Sequence, residues 1–184
     1  RDSSTSRGLG DVYKRQKPTS ASMAPASSAP CRPTCTAPHD NYDLHSSHVL
    51  PALIRKFHEG REASQDSVTL WGTGTPLREF LYVDDLAQAC LMLMESPSAE
   101  GIYNIGAGQD LSIADLARVV AQVVGFQGAV VYDTSKPDGT PRKLLDSSRV
   151  RALGWKPEIS LHHGVTLAYG HFLREQARHP LPVA

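Results

Sequence analysis

The stretch from Trp71 to Asp85, WGTGTPLREFLYVDD, constrains this chain more than any other. Val68, Thr69 and Leu70 lead into Trp71 as a β-rich run, and Gly72-Thr73-Gly74-Thr75-Pro76 then forces a turn. A second apolar run, Phe80 to Val83, closes on two carboxylates, Asp84 and Asp85, at a helix start. A flat aromatic ring, a glycine hinge and an arginine within a few residues can stack a purine and grip a phosphate.

The same alternation continues on both sides. Ser46 or Ser47 is placed to cap a helix over residues 49–58, with Pro51 in its first turn and Gly60 as its stop. Asp84-Asp85 opens an apolar helix over 86–94, and residues 101–106 read as a buried strand ending in a glycine turn. Ser112 and Asp115 form a capping box ahead of the helically spaced Ile113, Leu116, Val119, Val120 and Val123, with Gly125 as the stop. A strand at 130–132, a short helix from Asp146 or Ser147 to Leu153, and a last amphipathic helix over 160–176 complete the series. Strands alternating with helices predict an α/β fold.

Composition narrows the function classes. The 184 residues carry 19 basic and 19 acidic side chains, so no global field draws the chain to nucleic acid or an anionic membrane. The longest apolar run, around Leu91–Met94, is too short to span a bilayer, and no secretory signal is visible. The three cysteines form no disulfide framework and have no histidines at ligand spacing, so no metal site is expected. A cytoplasmic protein is the expectation.

Several side chains have chemistry to offer, each with a plainer reading beside it. His48 precedes the first helical turn, where the positive end of the helix favours a neutral imidazole fit for acid/base work; an exposed capping-region histidine is the alternative. Lys56, two turns on, is a phosphate ligand or a solvated lysine. Trp71 and Arg78 are a stacking face and a phosphate fork, or else a core tryptophan beside an Arg78–Glu79 ion pair. Asp138, in the turn-rich loop from Lys136 to Lys143, is a guanine-edge acceptor or part of a solvated loop. Adjacent on a helix start, Asp84 and Asp85 do not converge and read as cap and dipole partners. Gly106-Ala107-Gly108 lacks the third glycine of a dinucleotide-binding loop.

Four motifs, PHDNYD, SSHVLPALIRKF, WGTGTPLREFLYVDD and KPDGTPRKLLD, resemble the extended short-chain dehydrogenase/reductases that act on nucleotide sugars, and within them the GDP-fucose synthases. The resemblance runs from His39 to about Arg178. It implies the C-terminal substrate-binding part of an extended short-chain dehydrogenase/reductase, with the Rossmann half largely missing. It further implies a GDP-sugar substrate, NADP as cofactor and a homodimer. By the same resemblance His48 is the catalytic acid/base and a cofactor contact, and Lys56, Trp71, Arg78 and Asp138 bind substrate. The family's glycine-rich phosphate loop, its Tyr-x-x-x-Lys pair and its active-site cysteine have no counterpart here, so catalysis by this chain alone is not expected. Two other readings stay open: another NDP-sugar epimerase or dehydratase, which would prefer UDP- over GDP-sugars, and a non-catalytic binding module.

Residues 1–38 are rich in Ser, Pro, Ala and Thr with no hydrophobic period, and are expected to be disordered. Asp11 to Gln16, DVYKRQ, is what GAT-GTG-TAT-AAG-AGA-CAG encodes, which resembles a transposase adapter. Residues 21–38, back-translated and read one nucleotide earlier, give RQYGARFISAMPTNLYGP, which runs into HDNY as a motif similar to the same family. A non-native leader is therefore expected, with adapter through residue 16 and frame-shifted sequence from about 17 to 38. A genuine low-complexity leader is the alternative. The tail after residue 178 is expected to fray.

Overall fold

A computed structural model describes residues 34–179 and the backbone of 28–31. The adapter segment and the tail from residue 180 lie outside the described residues. Element order is β1 (Ser28–Cys31), β2 (Thr34–Thr36), α1 (Val49–Glu62), β3 (Ser67–Trp71), β4 (Leu77–Tyr82) and α2 (Val83–Glu95). There follow β5 (Gly101–Asn104), β6 (Asp110–Ser112), α3 (Ile113–Val124), β7 (Ala129–Asp133), β8 (Arg142–Lys143), α4 (Ser148–Ala152) and α5 (Leu161–Arg178).

β4 is the hub. Its second half runs parallel to β2, with Thr34 opposite Phe80. Its first half pairs antiparallel with β6, Leu77 opposite Ser112, and parallel with β8, Leu77 opposite Arg142. β3 and β7 form a separate parallel pair that sets Trp71 opposite Asp133, and β1 pairs in parallel with β5. Parallel pairing linked by helices is the α/β architecture expected. Two short strands, β1 and β2, nevertheless lie inside the stretch expected to be disordered. Backbone pairing with β5 and β4 holds them, a long-range contact that local composition does not register.

The larger core packs three helices around β3. Leu50, Leu53, Ile54 and Phe57 line one face of α1 at i, i+3, i+4, i+7 spacing. They meet Leu116, Ala117, Val120 and Val124 of α3 and Val165, Ala168, Tyr169 and Phe172 of α5. Each such side chain contributes about 1.5–3 kcal/mol on full burial. A second cluster under α2 holds Leu81, Ala89, Leu93, Tyr103, Ile105, Val150 and Trp155.

Packing also overrules several local expectations. Gly60 does not stop α1, which runs on to Glu62. A Cβ at Gly60 would stand 2.7 Å from Val68 Cγ2, so the glycine is there for close approach to β3. Neither Ser46 nor Ser47 caps α1; His48 is the N-cap residue, without a side-chain capping bond, while Ser46 bonds Asp43. α2 starts at Val83, so Asp84 and Asp85 fall in its first turn. Asp85 does more than favour the dipole: it is 1% exposed and accepts from the N–H groups of Glu158 and Ile159 at 3.1 and 3.0 Å.

His58 joins α1 to α5: its Nδ1 lies 3.1 Å from the Tyr169 hydroxyl and its ring packs edge-on to Phe172. Desolvation lowers its pKa below the ordinary 6.5. The folded state therefore binds fewer protons than the unfolded chain in the window just under pH 6.5, so stability falls as pH falls through that window. Thermal midpoints at pH 7.5 and 5.0 should show a larger acid loss for the natural chain than for His58→Gln. Equal losses would contradict this.

Candidate functional site

The turn after β3 and the loop after β7 build one surface. Gly72 and Gly74 take φ of 81° and 75°, which lets the chain reverse directly after Trp71. The Gly72 N–H donates to Asp133 O at 2.9 Å, tying the turn to the end of β7. The Asp138 carboxylate crosses from the other side: Oδ1 accepts the Thr73 N–H at 2.9 Å and Oδ2 the Thr73 hydroxyl at 2.7 Å. These two bonds hold the Asp138 pKa below the usual carboxylate range. A Cβ at Gly72 would stand 2.2 Å from Asp138 Oδ1, so only glycine admits the clasp.

Around this clasp sit an indole and three cations. Trp71 is 68% exposed, which rules out the core-tryptophan reading. The ammonium groups of Lys56 and Lys136 each stand 5.7 Å from its ring centre, within cation–π range. Lys56 Nζ also donates to Thr69 O at 3.2 Å, and partial burial lowers its pKa. Arg78 donates to Leu77 O at 2.7 Å, and its guanidinium lies 3.0 Å from where a Cβ on Gly139 would be. No acidic side chain pairs with Arg78 among the described residues.

The alternative reading of an Arg78–Glu79 ion pair fails because neighbours on a strand point to opposite faces. Glu79 turns inward and is 3% exposed. Its carboxylate accepts from Gly108 N–H at 2.6 Å and Leu145 N–H at 3.1 Å. That commits the Gly106-Ala107-Gly108 turn to the protein itself, with Arg151 closing on Ala107 O at 2.6 Å. The turn holds no open cradle for a diphosphate.

Of the residues singled out from the sequence, Lys56, Trp71, Arg78 and Asp138 therefore meet at one end of β3 and β4. His48 is not part of those contacts. It is exposed at the N-terminus of α1, eight residues before Lys56 and so about 12 Å along the helix. Thr73 and Lys136 join the surface without having been singled out one by one. A hydroxyl inside a glycine turn, and a lysine two residues before Asp138, were the available signals.

The chain is similar to known proteins in both sequence and fold. Residues 27–106 match the NAD dependent epimerase/dehydratase family. A putative GDP-L-fucose synthase 2 from Arabidopsis thaliana is 53% identical over 135 residues, covering 73% of this chain and 41% of the plant protein. The GDP-L-fucose synthase of Escherichia coli K12 is 49% identical over 151 residues, covering 77% of this chain and 47% of its own. A GDP-mannoheptose C4 reductase from Campylobacter jejuni, solved with NADP bound, is 27% identical with a TM-score of 0.72, over 88% of this chain and 57% of the reductase. The chain thus spans less than half the length of the curated relatives it matches. The chain is similar to the GDP-L-fucose synthases over about three quarters of its own length, and its residues 27–106 match the model of the NAD dependent epimerase/dehydratase family.

Proposed function

We propose that the chain is the C-terminal, sugar-nucleotide-binding part of a GDP-L-fucose synthase. That enzyme is a cytoplasmic, homodimeric epimerase-reductase that converts GDP-4-keto-6-deoxy-D-mannose to GDP-L-fucose by 3,5-epimerisation and NADPH-dependent 4-reduction. One observation carries the reading: an exposed indole flanked by two ammonium groups, beside an arginine with no acidic partner among the described residues and a loop clasped by Asp138. A nucleotide base and a diphosphate are the ligand that matches such a set.

In this reading Trp71 stacks the guanine, while Lys56 and Arg78 take the phosphate oxygens. Asp138 keeps spare lone pairs on both oxygens while it holds Thr73, so it can also accept from the guanine N–H edge. His48 presents its imidazole at the helix start and exchanges a proton with the carbons beside the 4-keto group, which that ketone acidifies. NADP supplies the hydride chemistry of the proposed enzyme; among the described residues the 106–108 turn, closed on Glu79, does not form a cradle for it. His48 is the single cofactor contact proposed here.

The chain should bind GDP and GDP-sugars yet consume no NADPH with GDP-4-keto-6-deoxy-D-mannose. Trp71 is exposed and Trp155, the other tryptophan, is buried, so intrinsic fluorescence reports the site directly. Titration should show quenching by GDP at lower concentrations than by UDP. Preference for UDP would favour a different NDP-sugar epimerase or dehydratase, and no response to either would leave a binding module without nucleotide affinity.

A further inference from the structure

We propose that His39, His171 and Glu175 form a divalent-cation site, suited to zinc, that clips the loop before α1 onto α5. One ligand atom from each of the three lies within 4.8 Å of the others. His171 and Glu175 are four residues apart on α5, which puts them on one face a turn apart. Nε2 of His171 stands 4.0 Å from Glu175 Oε1. His39 arrives from the loop between β2 and α1, and its ring centre is 4.0 Å from that of His171. Its backbone takes a φ of 58°, a region few residues besides glycine enter, and its N–H donates to His171 Nδ1 at 3.3 Å.

The donor chemistry selects the ion. Two imidazoles and one carboxylate are a set that zinc accepts, with water in the fourth position. Magnesium and calcium prefer oxygen ligands throughout. His171 is 8% exposed, so the site has a buried imidazole at its base, with His39 and Glu175 reaching it from the loop and from the next turn of α5. Tetrahedral zinc with bonds near 2.0–2.1 Å needs its donors about 3.3 Å apart, so the three must draw in by up to about 1.5 Å. His39 is exposed and Glu175 half-buried, so their side chains are free to make that movement. Ligation through His171 Nε2 moves the ring proton to Nδ1 and exchanges the His39 N–H contact for the metal link. Arg178, 3.7 Å from Glu175 Oε1, gives up its carboxylate partner in the same step.

The site shares no residue with the nucleotide surface and does not depend on the reading given to it. Its consequence is mechanical: the clipped loop leads into His48. The two histidines are 132 residues apart, so ligand spacing in the sequence gives no sign of them.

The test is calorimetric titration of Zn²⁺ into the full chain against a competing chelator, with Co²⁺ absorption as a second readout. One equivalent should bind, at least tenfold more weakly in both His39→Ala and Glu175→Gln. The Co²⁺ visible bands should be lost in each. Both substitutions are outside the core, and circular dichroism would confirm that the fold is kept. The double variant His162→Ala/His163→Ala, on the surface of α5, should bind as the natural chain does. Absence of binding, binding unchanged in the two site variants, or loss confined to the His162/His163 variant would each overturn the proposal.

Discussion

Replacing Glu79 with leucine should destabilise the chain by about 2–6 kcal/mol. Glu79 is buried, and its carboxylate is the acceptor for two backbone N–H groups, those of Gly108 and Leu145. Leucine fills much of the same space with an apolar surface and leaves both donors in place. Both bonds are part-buried, and a hydrogen bond to a charged acceptor contributes about 1–3 kcal/mol where water partly reaches the freed donor, so the loss of two sets the range. The outcome differs from swapping a whole ion pair for apolar residues, which is often neutral, because backbone donors cannot be mutated away. Gly106→Ala should act in the same direction: a Cβ there would stand 2.5 Å from Glu79 Oε1 and push the carboxylate off its donors. Urea midpoints measure both. A Glu79→Leu chain as stable as the natural one would show that the carboxylate does not anchor the 106–108 turn.

Trp71→Ala should weaken GDP binding by about 5- to 150-fold while leaving the urea midpoint nearly unchanged. Stacking of a base on an aromatic ring contributes about 1–3 kcal/mol by alanine substitution, and each 1.4 kcal/mol is tenfold in affinity. The ring is largely exposed, so its removal leaves no cavity in either core. Its loss also frees Lys56 and Lys136 from the indole face they share. Calorimetric titration of GDP separates the two effects: affinity falls and stability does not. If both fall together, Trp71 is a packing residue; if neither does, the base lies elsewhere.

Much of this could be read from residue order, and the failures share one cause. The helix over 113–124 was legible in full, because Ser112, Asp115 and Gly125 carry its caps locally; the Ser112 hydroxyl accepts the Asp115 N–H, and Gly125 takes φ 81°. The strands around Trp71 were legible from their alternation and glycines. What was missed depends on partners far along the chain. β1 and β2 exist through pairing with β5 and β4, Gly60 is set by Val68, and Glu79 by residues 29 and 66 positions away. The site divides the same way. Trp71, Arg78 and Asp138 stood out by type and turn context and Lys56 by its place on the helix after His48, whereas the Thr73–Asp138 clasp and the His39–His171–Glu175 cluster join residues that only the fold brings together.

The most direct measurement is a map of where GDP sits on this chain, by amide chemical-shift perturbation with ¹⁵N-labelled protein. The shifts should concentrate at Trp71, Gly72, Thr73, Arg78 and residues 136–139, with smaller changes reaching the start of α1 at His48. Shifts centred on Gly106–Gly108, or scattered over α2 with none in the Trp71 turn, would contradict the account.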